Sequence, residues 1–191
     1  ELMLLPGGSA LPEFRLDALL PRLREAAPGV GSVTARHVHL VASATELSDT
    51  DARAVAAVLD TGAWDAPGPG DAEHTATFVV TPRVGTISPW SSKATDIVHT
   101  CGVAAVDRVE RVTEYTVTLT GPELTDEQWR ACAALLHDRM TESVLGDLAE
   151  VTALFVDSAP AAMEHIDVLG GGRAALEQAN ATHAWAMSED E

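Results

Sequence analysis

The chain has 191 residues, 46% of them hydrophobic and 21% charged, with a formal net charge of -17. That length suits one domain of usual size plus an extension, and the composition suits a packed core rather than disorder. The acidic balance argues against binding nucleic acid through clustered phosphate contacts and against an anionic membrane surface, and no apolar run approaches the roughly 20 residues that span a bilayer.

The opening Glu1-Leu-Met-Leu-Leu-Pro6 lacks a basic region and a cleavable apolar segment. It reads as a first strand, Leu2 to Leu5, rather than a signal peptide, and the expected location is cytoplasmic. Pro12 then opens a helix with Leu16, Leu19, Leu20 and Leu23 on one face, and Pro21 inside that pattern predicts a kink or a shortened helix. Val33 to Val41 alternates imperfectly, as a half-buried strand does. Ser48 caps the next helix, whose apolar stripe is Val55, Val58 and Leu59. The segment Gly62 to Gly70, with Pro67-Gly68-Pro69-Gly70, reads as a connecting loop.

The same grammar follows a second time. Thr77 to Thr81 is a predicted strand, and Pro89 opens a helix with Ala94, Ile97, Val98 and Cys101 on one face and Gly102 as its left-handed stop. Arg108 to Leu119 is a long, mostly alternating strand. Thr125 and Gln128 form a capping box, Leu124 and Trp129 can staple the helix start, and Leu135, Leu136 and Met140 continue its buried face. Asp157-Ser-Ala-Pro160 reads as linker, and one further helix is expected at about 173–185.

The two runs also share sequence. At an offset of 77 residues, Glu46 to Leu59 answers Glu123 to Leu136 with eight of fourteen positions identical, and Gly8 and Pro12 fall on Gly85 and Pro89. Such a period suits a duplicated half-domain. The expected fold is therefore α+β: a duplicated strand-helix-strand-helix domain over 1–146, with halves at about 1–70 and 71–146, antiparallel pairing and helices on one side of the sheet. Residues 147–191 are the expected linker region.

Chemistry-bearing residues concentrate at one helix start. Arg83, Thr86, Ser88, Trp90, Ser91, Ser92, Lys93 and Asp96 surround Pro89, where backbone donors and basic side chains can attract an anion. The competing structural reading makes Ser88 a cap, Pro89 an ordinary first residue, and Ser91 and Ser92 a solvated face. Trp90 on a polar helix start invites a contact with another domain. His37 and His39 share a strand face, but no third metal ligand is spaced near them. Cys101 and Cys132, without CxxC spacing, read as two buried structural thiols. Gly170-Gly-Gly172-Arg173 lacks the Lys-Ser/Thr of a P-loop, and no nucleophile, triad or metal motif stands out, so neither a catalytic nor a metal site is expected.

The run Thr81-Pro-Arg-Val-Gly-Thr-Ile-Ser-Pro-Trp-Ser-Ser-Lys-Ala-Thr-Asp-Ile97 resembles a signature near the start of large, glutamine-dependent phosphoribosylformylglycinamidine synthases. Pro6 to Phe14, Asp107 to Arg111, Leu136 to Met140 and Asp167 to Asn180 are similar to further parts of the same region, and Val84 stands where many relatives have Pro. The resemblance implies a purine-pathway ligase that turns formylglycinamide ribonucleotide, ATP and glutamine-derived ammonia into the amidine. It places ATP and Mg²⁺ in a central synthetase domain and the glutaminase at the carboxyl end, so this chain is expected to hold no cofactor. Its implied partners are those two domains of the same polypeptide, and the duplicated domain resembles a fused pair of the family's small accessory subunits. The alternative expectation is a stand-alone scaffold of the same fold without ligase activity. The ending Ala186 to Glu191, inside a linker-like region, favours a truncated chain over a naturally short one.

Overall fold

The structure is a computed structural model that describes residues 1–59, 61, 74–156, 162–188 and 190. The expected loop Gly62 to Gly70 and the expected linker Asp157 to Pro160 lie outside the described residues. The chain divides into two compact units, Glu1–Asp157 and Ser158–Glu191.

The first unit runs β1 (Leu2–Ser9), α1 (Glu13–Ala26), β2 (Val30–Ser43), α2 (Asp49–Val58), β3 (His74–Pro82), α3 (Pro89–Thr100), β4 (Val106–Leu119), α4 (Asp126–Leu136) and β5 (Glu142–Leu145). A 3-10 segment, Leu148–Phe155, completes it. The fold is α+β, with one antiparallel sheet in the order β1-β2-β4-β3-β5. The strand-helix-strand-helix order occurs twice, and the two 14-residue strands β2 and β4 pair along nearly their whole length at the sheet's centre.

Strand alternation explains the layering. On β2, Val33, Ala35 and Val41 face the helices, while Val38 and Leu40 face the 3-10 segment. Helices α1 and α4 close over a core of Leu23, Phe78, Tyr115, Leu119, Cys132 and Leu136. At the other end of the same face, α2 and α3 close over smaller residues, Val41, Val55, Ala94, Val98, Val106 and Val109. On the opposite face, Val151 and Leu154 of the 3-10 segment cover Val38, Leu40, Val79 and Val112. Each fully buried Leu or Phe contributes about 2–3 kcal/mol of transfer free energy.

Local signals hold where they depend on caps. Ser48, Ser88 and Thr125 each accept a hydrogen bond from the first turn of their helix, and Thr125 with Gln128 makes the full capping box. Gly102 follows α3 with φ +93°. Four expectations are corrected. Helix α1 continues through Pro21 to Ala26, because Pro21 lies on the exposed face, where water can serve the carbonyl left without a donor. The buried stripe of α3 is Ser91, Ala94 and Val98, so Ile97 is 45% exposed, and Cys101, past the last turn, is an exposed thiol. Helix α4 stops at Leu136, which leaves Met140 in a turn and 76% exposed. Gly8 and Gly85, equivalent in sequence, differ in conformation: Gly8 lies within β1, and Gly85 has φ +83°.

In the second unit, Asp167 caps α5 (Val168–His183) by accepting from the Gly170 N–H at 2.8 Å. Gly172, at φ +55° and ψ -148°, breaks that helix just before Arg173. Ala184 ends it in a left-handed conformation, and the His183 ring stacks on Trp185.

Candidate functional site

Between the two helix pairs, no described helix covers the helical face of the sheet. The exposed strip is polar, because the inward positions there carry His37 from β2 and Arg111 and Thr113 from β4 rather than apolar side chains. The result is an open cleft of about 590 Å³, walled by the β3–α3 loop and by the turn Met140 to Glu142.

The loop forms because β3 ends at Pro82 and the chain reverses. Thr86 donates both its N–H (3.0 Å) and its hydroxyl (2.6 Å) to the Arg83 carbonyl, and Gly85 takes the positive φ. Val84 occupies the second position of this turn, where Pro is favoured. The Arg83 N–H donates to the Thr141 carbonyl at 3.2 Å, which ties the two walls together.

Helix α3 takes over where β3 leaves off. β3 pairs with β4 only as far as Val80 opposite Thr113, and farther along that edge a backbone without a strand partner would need other acceptors and donors. The helix supplies them: the Ser91 hydroxyl donates to the Val109 carbonyl at 2.5 Å, and the Thr95 hydroxyl accepts from the Val109 N–H at 2.9 Å. Their i, i+4 spacing puts both hydroxyls on the face towards β4.

Beneath the loop lies Glu110, which is fully buried. It accepts from the Ser88 hydroxyl (2.7 Å) and the Arg111 N–H (3.0 Å), and Arg108 pairs with it at 2.8 Å. Arg108 also donates to the carbonyls of Thr86 (3.0 Å) and Leu154 (2.8 Å), and its guanidinium lies over the Phe155 ring. A buried charge met on all sides in this way fixes one geometry for the loop.

The Trp90 ring forms the inner wall. His39 stacks on it with centroids 5.6 Å apart and 6° between planes, and the Arg111 guanidinium carbon lies 4.7 Å from its centroid. Gly7 of β1 makes room beneath, since a Cβ there would stand 3.0 Å from the His37 Cβ. Burial, then Arg111, then His39 push the His37 pKa down to about 4. His39 is lowered first by burial and then by Arg111, and burial also lowers Arg111, against the pull of Glu110. Both histidines are therefore neutral at pH 7, each with its Nδ1 buried and lacking a hydrogen-bond partner.

Of the eight residues singled out from the sequence, Arg83, Thr86, Ser88 and Trp90 line the cleft. Ser91 is fully buried against β4 rather than solvated, whereas Ser92, Lys93 and Asp96 are exposed on α3 and outside the cleft lining. Arg111, Thr113 and Glu142 also line it and were not singled out; the strand register that brings Arg111 beside His39 joins residues far apart in the chain. Among the described residues no group of three or more His, Cys, Asp or Glu could hold a metal ion. No helix among them is long and apolar enough to cross a membrane.

The family model described as formylglycinamide ribonucleotide amidotransferase N-terminal matches residues 36–155. That span runs from β2 through the 3-10 segment and contains every residue lining the cleft. With well over half of the 191 residues matched, this chain belongs to the formylglycinamide ribonucleotide amidotransferase N-terminal family.

Proposed function

We propose that this chain is the non-catalytic amino-terminal domain of an ATP- and glutamine-dependent ligase that converts formylglycinamide ribonucleotide to the amidine in purine biosynthesis. In this reading its cleft face meets the synthetase domain of the same polypeptide, couples it to the glutaminase and helps to shield ammonia from solvent. ATP and Mg²⁺ act in the synthetase domain, and the whole enzyme works in the cytoplasm. Family membership supports the parent reaction. The architectural role rests on one observation: the signature loop and Trp90 form a rigid wall, locked from below by a fully buried carboxylate, beside an open polar surface. Exposed Val84 and Ile87 on that loop, and Met140 across the cleft, offer apolar area to a partner surface.

The test is made in the full-length parent enzyme. Trp90→Ala and Lys93→Ala are expected to reduce glutamine-dependent synthesis while the domain stays folded, as judged by its circular dichroism. Wild-type steady-state rates in both variants would leave the loop with a structural role only.

A further inference from the structure

Among the described residues, three of the chain's eleven arginines pair with a carboxylate. Arg108 pairs with Glu110, Arg36 with Glu114 and Arg173 with Glu177. Arg111 is among those that do not, and it alone of them lies half-buried over the face of Trp90, with no carboxylate of the described residues within ion-pair distance. Stacking occupies the flat face of a guanidinium and leaves its N–H edge to hydrogen-bond an acceptor in the ring plane. Where no protein group engages that edge it is left to solvent, which an anionic acceptor can displace.

The surroundings hold that guanidinium ready. Its backbone N–H is fixed by Glu110, and Trp90 is backed by the His39 ring. Arg83 stands in the same cleft, where its guanidinium reaches the Met140 carbonyl at 3.5 Å, and Thr113 lines the cleft as well. The carboxylate in the lining, Glu142, is engaged by the Asp138 N–H at 2.8 Å. We propose that the cleft binds a phosphate-bearing small molecule, with Arg111 as the inner anion ligand and Arg83 as the outer one. The two permanent cations outweigh the Glu142 carboxylate, and the three free oxygens of a phosphate monoester can meet both guanidinium groups in bidentate fashion, where a carboxylate has only two. The volume, about 590 Å³, falls in the range of small-molecule sites and leaves room for the organic part of the ligand.

The proposal rests on the cleft's own geometry and stands apart from the domain-docking reading. It is tested on the 191-residue chain by titration with phenyl phosphate, and with phenylacetate as the carboxylate control, following the Trp90 indole N–H by NMR. Phenyl phosphate should saturate with a Kd of about 1 mM or tighter and shift the Trp90 resonance. Arg111→Lys, which keeps the charge and loses the fork, should weaken it about tenfold. Arg83→Ala, an exposed substitution without risk to the fold, should weaken it about threefold. Absence of saturation, an unchanged Kd in both variants, or phenylacetate binding as tightly as phenyl phosphate would each overturn the proposal. None of these results bears on the effect of Trp90→Ala and Lys93→Ala in the parent enzyme, so the two readings fail separately.

Discussion

The two ends of the helical face solve the same packing problem with different materials. At the α1–α4 end, Phe78, Leu119 and Leu136 fill the space between sheet and helices, and Trp129 stacks on Phe78 at 5.1 Å. At the α2–α3 end the core is built of valines and alanines, and helix α3 is attached to β4 by Ser88, Ser91, Thr95 and a buried Glu110–Arg108 pair. Apolar packing of the first kind tolerates small shifts. A hydrogen-bonded buried charge does not, because any displacement strands a polar group. The polar network lies beneath the β3–α3 loop that walls the cleft, so it serves to hold position, at a desolvation cost that a dry core avoids.

Substitutions at the two ends sharpen this contrast. Glu110→Ala leaves Arg108 without its buried carboxylate and should destabilise by about 3–5 kcal/mol in urea titration, while also dispersing the Trp90 and Thr86 NMR signals into several states. Phe78→Ala should cost a similar amount, about 3–5 kcal/mol, through a cavity alone. Its cleft resonances should remain single. Loss of loop order in Phe78→Ala, or its retention in Glu110→Ala, would break the comparison.

The helix caps carry the same distinction on a smaller scale. The Ser88 side chain both accepts from Ser91 and donates to Glu110, whereas among the described residues the exposed Thr125 side chain is engaged only with Gln128. Ser88→Ala is expected to cost about 2 kcal/mol and Thr125→Ala about 1 kcal/mol by the same titration. Equal losses would mean that Glu110 holds the loop without help from the cap.

An effect of similar size concerns pH. His37 has its folded pKa lowered to about 4 from an ordinary 6.5, so the unfolded chain takes up its proton first as pH falls. Its contribution is fully present above pH 6.5 and is lost between there and pH 4, about 1–2 kcal/mol once solvent screening is allowed for. His37→Gln should flatten that part of the stability curve relative to wild type. A parallel curve would show that the floor of the cleft admits the charged imidazole.

Much of the fold was legible because caps and periodicity are local. Ser48, Ser88, Thr125 with Gln128, and Gly102 each announced a helix boundary within one turn of themselves. Pro21 misled because it falls outside the Leu16, Leu19, Leu20 and Leu23 stripe, on the exposed side, where the helix can carry a proline without losing its buried face. β5 was missed because its four half-buried residues gain their order from pairing with β3. The signature drew attention to Ser91 and Lys93, but only the edge left open by β3 explains why Ser91 turns inward. Arg111 became visible only once the β2–β4 register put it beside His39.

The crossed arrangement of helices also governs how the chain can assemble. α1 packs with α4 and α2 with α3, so each strand-helix-strand-helix run lends one helix to either end of the sheet. The central ladder joins Val38 to Val112. Neither run can bury its own apolar faces first and wait for the other. The entropy of closing a long loop must be met before much native contact forms, which places this unit among the slower, millisecond-to-second folders. A nascent first run would meanwhile hold one long edge of β2, the edge that β4 takes, open to other chains until β4 has been synthesised.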